Sequence, residues 1–199
     1  MNEMLKMGLV LTVLASVAGG VLAAVNNGTR EQIKKQQLEF VKGPAVKSIM
    51  TGSVNNPVED YFTVTDGENE RTVFVGSFKD RDGVVAFEEF GKGFGGQIGV
   101  MVGYNLSDDR LRGVAVTVQS ETPGLGARAK SDPGLVSQFA GMELTDSIKV
   151  SKDGGQIDAI SGATITSRAV CAAVEQSMQH YQKMKSRIKE QAQKLQKQE

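Results

Sequence analysis

Residues 156–181 read QIDAISGATITSRAVCAAVEQSMQHY, and a change of period occurs inside this stretch. Gln156–Ile160 is a short run compatible with a strand. From Thr164 onward the apolar residues recur every three or four positions, at Val170, Val174, Met178, Tyr181, Met184, Ile188, Ala192 and Leu195. That spacing predicts one long helix with a single buried stripe, closing the chain. The junction is Asp158-Ala159-Ile160-Ser161-Gly162-Ala163-Thr164. Ser161, Thr164, Thr166 and Ser167 crowd hydroxyls around a Gly-Ala pair that admits close backbone approach. Where a strand passes into a helix, free N–H groups and the positive dipole end favour a phosphate. An ordinary helix cap uses the same residue types.

Upstream, the period is two. Thr72–Phe78 and Val84–Phe87 carry short β signals around a turn at Asp80–Gly83. Gln97–Tyr104 and Arg112–Gln119 are stronger and flank the turn residues Ser107-Asp108-Asp109, which predicts a hairpin. Pro133–Met142 reads as a short helix, and Ser147–Val150 as a short strand. Strands followed by one long helix make the domain α+β.

Directly after the best strand comes Glu121-Thr122-Pro123-Gly124-Leu125-Gly126. Pro123-Gly124 imposes a tight turn, and Gly126 keeps backbone accessible, as a loop over a flat ligand requires. A plain β-turn leaving a sheet has the same composition. A third glycine cluster, Gly91-Lys92-Gly93-Phe94-Gly95-Gly96, precedes a strand rather than a helix, so it is no Rossmann fingerprint.

The front of the chain is different. Met7–Val25, MGLVLTVLASVAGGVLAAV, is nineteen residues without an ionisable side chain, enough to cross a hydrocarbon core of roughly 30 Å. It exceeds the h-region of a signal peptide and reads as an uncleaved anchor, although Val21-Leu22-Ala23 resembles a cleavage site. Small residues from Ala15 to Ala24 would let another membrane helix approach. The expected organisation is an anchor over 1–25, a helical stalk over 26–44 stopped at Gly43-Pro44, and a domain over 45–199. The basic residues of 182–199 read as a solvated helix face, or as a contact for an acidic partner or anionic lipid head groups.

Composition removes several chemistries. In 199 residues, 23 Lys and Arg balance 23 Asp and Glu, so there is no nucleic-acid signature. One cysteine, Cys171, excludes an internal disulfide, and one histidine, His180, excludes His-cluster metal sites. Both read as structural residues of the long helix. A hydrolase built on Ser161 lacks a general base. What remains is a borrowed cofactor, hydroxyls, carboxylates and backbone.

Taken together, the N-terminal span, GFGGQIGVMVGY, ETPGLG and D-A-I-S-G-A-T ahead of a helix resemble the RnfG family. These are subunits of the Rnf ion-translocating ferredoxin:NAD oxidoreductases, related to the NqrC subunits of the sodium-pumping NADH:quinone reductases. The resemblance covers roughly residues 90–180, and the anchor by position. It implies a mixed α/β FMN-binding domain behind a single transmembrane helix. It implies FMN, joined covalently by a phosphoester to Thr164, making the chain a phosphoprotein and flavoprotein. Ser161, Gly162 and Ala163 would form the recognition sequence of a flavin transferase, with Asp158 the upstream acid. Glu121, Thr122, Gly124, Leu125 and Gly126 would lie at the flavin. Relatives often carry His two residues before that Glu; this chain has Gln119. The implied role is electron transport within a membrane complex, with RnfA, RnfB, RnfC, RnfD and RnfE as partners and no complete enzymatic activity of its own. The implied location is the cell inner membrane, the bulk of the chain being extracytoplasmic. An NqrC-like subunit, a free-standing FMN protein and a flavin-free membrane scaffold are the alternatives.

Overall fold

The computed structural model describes residues 3–66, 69–79 and 82–196. The expected turn at 80–83 therefore lies partly outside the described residues. The chain divides into two compact units between Leu38 and Glu39. The first contains helix α1, Glu3–Gln36, with no buried residues. It is the one described helix long and apolar enough to cross a membrane. A π-helical turn, Gln37–Lys42, leads to α2, Gly43–Ile49.

Gly43-Pro44 was expected to stop a helix, but the helical backbone continues through it. The proline stands at the first positions of α2, and the wider π-helical turn immediately before it carries the helical backbone through without a break. Gly43, Ala45, Val46 and Ile49 are buried, so the end of the expected stalk belongs to the folded domain.

Five antiparallel strands follow in meander order: β1 Tyr61–Asp66, β2 Asn69–Gly76, β3 Val84–Lys92, β4 Gln97–Asn105 and β5 Leu111–Val116. The expected hairpin is β4–β5, and backbone bonds between Gly99 and Thr117 and Val118 prolong it. Edge strand β1 was missed because Tyr61 and its alternating Thr neighbours are exposed on one face, leaving only Val64 fully buried. Pro133–Met142 splits into α3, Pro133–Val136, and a 3₁₀ turn, Ser137–Phe139. The two short strands expected near 147–160 reduce to one parallel bridge between Val150 and Ile157.

The last helix, α4, Thr164–Gln196, lies on the face of the sheet that carries Val85, Phe87, Val100, Val102 and Tyr104. Seven of its eight expected stripe residues are at most 4% exposed, and Leu195 packs against them. The opposite face receives α2, with Ile49 against Gly103. Both faces of β4 are thus covered, which is why Ile98 through Tyr104 are all buried. Tyr104 stacks on Tyr181 at 4.1 Å and bonds Ser177 Oγ at 2.7 Å.

Two contacts fix α4 against the sheet. A Cβ placed on Gly91 would lie 1.9 Å from the Ala169 carbonyl oxygen, so β3 and α4 meet backbone to backbone there. At the other end Asp109, in the left-handed region at φ 59°, accepts from Tyr181 at 2.8 Å and pairs with Lys185 and Lys189 at 2.6 and 2.9 Å. Two of the basic residues read as a contact for a partner are consumed inside the domain. Arg187 reaches the Thr65 carbonyl and Lys194 pairs with Glu190.

Gly91→Ala is expected to destabilise the domain by about 3 kcal/mol or more, since neither backbone can yield. Thermal unfolding should show a fall of at least about 6 °C. Partial burial opposes ionisation of Asp109, but the bonds from Lys185, Lys189 and Tyr181 outweigh it and hold the carboxyl below its usual range. A depressed folded value means stability present at neutral pH and lost as pH falls below about 4. Asp109→Asn, which tolerates the left-handed backbone, should cost about 1 kcal/mol at pH 7. The gap to the parent in urea midpoint should narrow progressively as the pH is taken below about 4.

Candidate functional site

The two sequence motifs form turns of the same kind. Ala163 N–H bonds the Ile160 carbonyl at 2.9 Å across Ser161-Gly162, with Gly162 at φ 78°. Leu125 N–H bonds the Thr122 carbonyl at 3.2 Å across Pro123-Gly124, with Gly124 at φ 75°. A positive φ at the third position is the type II pattern, which glycine satisfies without strain. The turns touch: a Cβ on Gly162 would lie 3.3 Å from Leu125 Cδ2.

Between them opens a cavity of about 430 Å³, within the size range of small-molecule sites. Thr164, Gly162 and Ala163 line one side; Glu121, Thr122, Leu125 and Gly126 line the other. The structure thus brings together seven of the ten residues singled out in the sequence. The other three stand outside the lining. Ser161 is exposed at the tip of its turn, and Gly124 at the tip of the other. Asp158 is exposed too, its backbone clasped by Gln138, which accepts from its N–H at 2.7 Å and donates to its carbonyl at 3.2 Å.

Four lining residues were not assigned to the ligand: Phe94, Lys152, Ile165 and Thr166. Phe94, 73% exposed between glycines, carried a signal, an aromatic with nothing local to cover it. Lys152 carried none. It sits on a 3₁₀ turn, Ser151–Asp153, held to α4 by a two-pronged Asp153–Arg168 pair with both bonds at 2.7 Å. That bond keeps the Asp153 carboxyl below its ordinary value.

The floor is Glu121, 7% exposed. Its Oε1 accepts from Gly95 N–H at 2.8 Å and its Oε2 from the Thr166 hydroxyl. Gln119 accepts the Glu121 N–H at 2.6 Å. Ser167 Oγ accepts the Ile160 N–H and donates to the Ala163 carbonyl, both at 3.0 Å, locking the turn that precedes α4. Among the first-turn hydroxyls, those of Thr166 and Ser167 are committed to protein, whereas no such bond engages Thr164 among the described residues. Thr164 is half-buried, at the N-terminal end of α4.

His180 is no part of this cavity: its Nδ1 lies 2.7 Å from Glu89 Oε2 and 3.0 Å from Arg71 Nη2. Cys171 is buried on α4, where burial pushes its thiol up to about 12, leaving it unreactive. Among the described residues no His, Cys, Asp and Glu cluster could hold a metal ion.

This geometry agrees with the comparisons to known proteins. Residues 93–179, which contain both turns, match the FMN-binding domain family. Residues 1–42 match the RnfG N-terminal region. The G subunit of the ion-translocating oxidoreductase complex of Vibrio atlanticus is 32% identical over 193 residues, covering 90% of this chain and 91% of that protein. The chain belongs to the RnfG family. Its namesake from Methanosarcina acetivorans is 31% identical over 181 residues, covering 90% and 95%. In fold, the domain is similar to the crystal structure of the C subunit of the Na⁺-translocating NADH-quinone reductase from Parabacteroides distasonis. The TM-score is 0.61 at 22% identity, covering 76% of this chain and 94% of that one.

The residues of the cavity fit a flavin mononucleotide. Phe94, Leu125 and Ile165 give apolar surface for a flat ring, while Lys152 and the start of α4 give positive potential for a phosphate. Gly126 is what leaves the floor open, since a Cβ there would lie 2.5 Å from Thr166 Oγ1 and 2.6 Å from Glu121 Oε2. Gly126→Ala should therefore cost about 1–3 kcal/mol in urea unfolding. Combined with Thr166→Ala, which removes one of the struck atoms, the loss should fall short of the sum by at least about 0.5 kcal/mol.

Proposed function

We propose that this RnfG-family chain is an electron-relaying subunit of a membrane-bound ion-translocating oxidoreductase complex, carrying FMN as a phosphoester on Thr164. The observation that carries the reading is the convergence of the two type II turns on one cavity at the start of α4, with the Thr164 hydroxyl on its wall.

Bound there, the flavin would supply one-electron chemistry, and the protein would hold and tune it. Thr166 lines the same cavity, but it is 2% exposed and donates to Glu121, which favours Thr164 as the attachment point. The positive end of α4 and Lys152 would bind the phosphate. Phe94, Leu125 and Ile165 would orient the ring against the turns. The Leu125 N–H is turned inward to Thr122, so this turn does not direct its full set of backbone donors at the ligand.

No carboxylate or imidazole is bonded to the Thr164 hydroxyl among the described residues, and an aliphatic hydroxyl is a weak nucleophile. An external flavin transferase would therefore perform the attachment. The exposure of Asp158 and Ser161, outside the cavity but beside it, suits residues read by such an enzyme rather than by the ligand. Covalent attachment keeps the cofactor in place where replacement is scarce, in keeping with an extracytoplasmic domain. Anchor α1 would join the membrane subunits of the complex through its small residues.

Co-expression with a flavin transferase tests the reading. The parent chain should fluoresce on a denaturing gel under ultraviolet light, with an intact mass raised by one FMN less a water. Thr164→Val should be dark and unmodified, with unchanged thermal stability; a fluorescent Thr164→Val band would refute the assignment.

A further inference from the structure

Glu121 is a buried carboxylate around which three separate segments are built, and none of this serves attachment at Thr164. A Cβ on Gly93 would lie 2.5 Å from its Oε1, and one on Gly126 would lie 2.6 Å from its Oε2. A Cβ on Gly95 would lie 2.0 Å from the Ser120 carbonyl oxygen, so the N–H that donates to Glu121 comes from a position only glycine can occupy. Its two oxygens are each engaged, one by a backbone N–H and one by a hydroxyl, so the carboxyl group is held in one orientation. Burying a negative charge is costly, and two neutral donors only partly offset the cost. A neutral side chain of the same shape would fill the site at less expense. An acid at this position therefore points to a use for its charge.

We infer that Glu121 is a fixed negative charge that lowers the reduction potential of a flavin held in the cavity, so that the bound cofactor gives up its electron readily. The inference rests on the flavin reading above. An added electron makes the ligand more negative, and a carboxylate fixed on the cavity floor opposes that change more strongly than a freely solvated one would. Lys152, the cavity's lining cation, belongs to a different segment from the floor. Glu121 itself neither gains nor loses an electron; it sets the potential at which an outside donor and acceptor exchange one with the ligand.

Glu121→Gln tests this in the full chain, purified in detergent after co-expression with a flavin transferase. Glutamine keeps the shape, accepts from Gly95 N–H through its oxygen and donates to the Thr166 hydroxyl, which need only rotate. Gel fluorescence and intact mass come first. A parent chain without flavin refutes the flavin reading, and with it the inference that rests on it. With flavin present on both chains, spectroelectrochemical titration should show the E121Q midpoint raised by about 59 mV for one electron, a tenfold change in the reduced-to-oxidised ratio. Its melting temperature should match the parent's within a few degrees. Thr166→Val gives the opposite sign: it withdraws a donor that partly neutralises the carboxylate, so its midpoint should fall. A purely structural role for Glu121 would move stability and leave the potential alone. Unshifted midpoints, shifts of the same sign in both variants, or loss of attachment in a folded E121Q chain each overturn the inference.

Discussion

The backbone contact between Gly91 and Ala169 sets the separation of helix and sheet, and everything that joins them depends on that separation. The absence of a side chain on β3 lets the start of α4 come backbone to backbone with the sheet. The seating has consequences at both ends of the helix. Toward its N-terminus, Thr166 comes within hydrogen-bond reach of Glu121, which follows β5. Further along, Tyr181 lies flat on Tyr104 and reaches Asp109 beyond it.

Polar groups on the inner side of the sheet repeat one arrangement, a carboxylate from the sheet or its loops met by donors from α4. Glu89 is matched by His180 and by Arg71 of β2, Asp109 by Lys185, Lys189 and Tyr181, and Glu121 by Thr166. The difference lies in the donor. Glu89 and Asp109 face groups that carry or can carry positive charge, so their pairing is self-contained. Glu121 faces a hydroxyl and a backbone N–H, both neutral. Its charge is therefore left to act on whatever occupies the cavity.

The regular parts of this fold were legible because their period is local. The stripe from Val170 to Leu195 could be read one turn at a time, and all of it is on the packed side of α4. Strands β3 to β5 were legible for the same reason. What failed were elements whose residues take their meaning from position. Gly43-Pro44 has the composition of a helix stop, and only the packing of Ala45, Val46 and Ile49 on the domain shows that the helical backbone runs on past it. Strand β1 lies at an edge, with one face open, and its short alternation, Tyr61-Phe62-Thr63-Val64-Thr65, is bracketed by the turn residues Asn55-Asn56-Pro57 and Asp66-Gly67. At the site, both turns could be read from their glycines, yet nothing within either segment says that they touch. Lys152 is the extreme case: an ordinary lysine in a polar loop becomes a cavity residue because Arg168, on another element, grips its neighbour Asp153.

The site also follows a rule about where flexibility is withheld. Loops usually carry function at the cost of mobility, whereas the loops here are closed one by one. Ser167 locks the turn before α4, Gln119 and Gly95 hold Glu121, and the Asp153–Arg168 pair holds the turn of Lys152. An electron relay has reason for such rigidity, since every group that reorients when the ligand changes charge adds to the barrier for transfer. Fixed dipoles and fixed charges act without reorganising. The glycines at 93, 95, 126 and 162 are in this sense not points of flexibility. They are the places where neighbouring backbone or carboxylate comes too close, or the chain turns too sharply, for anything larger.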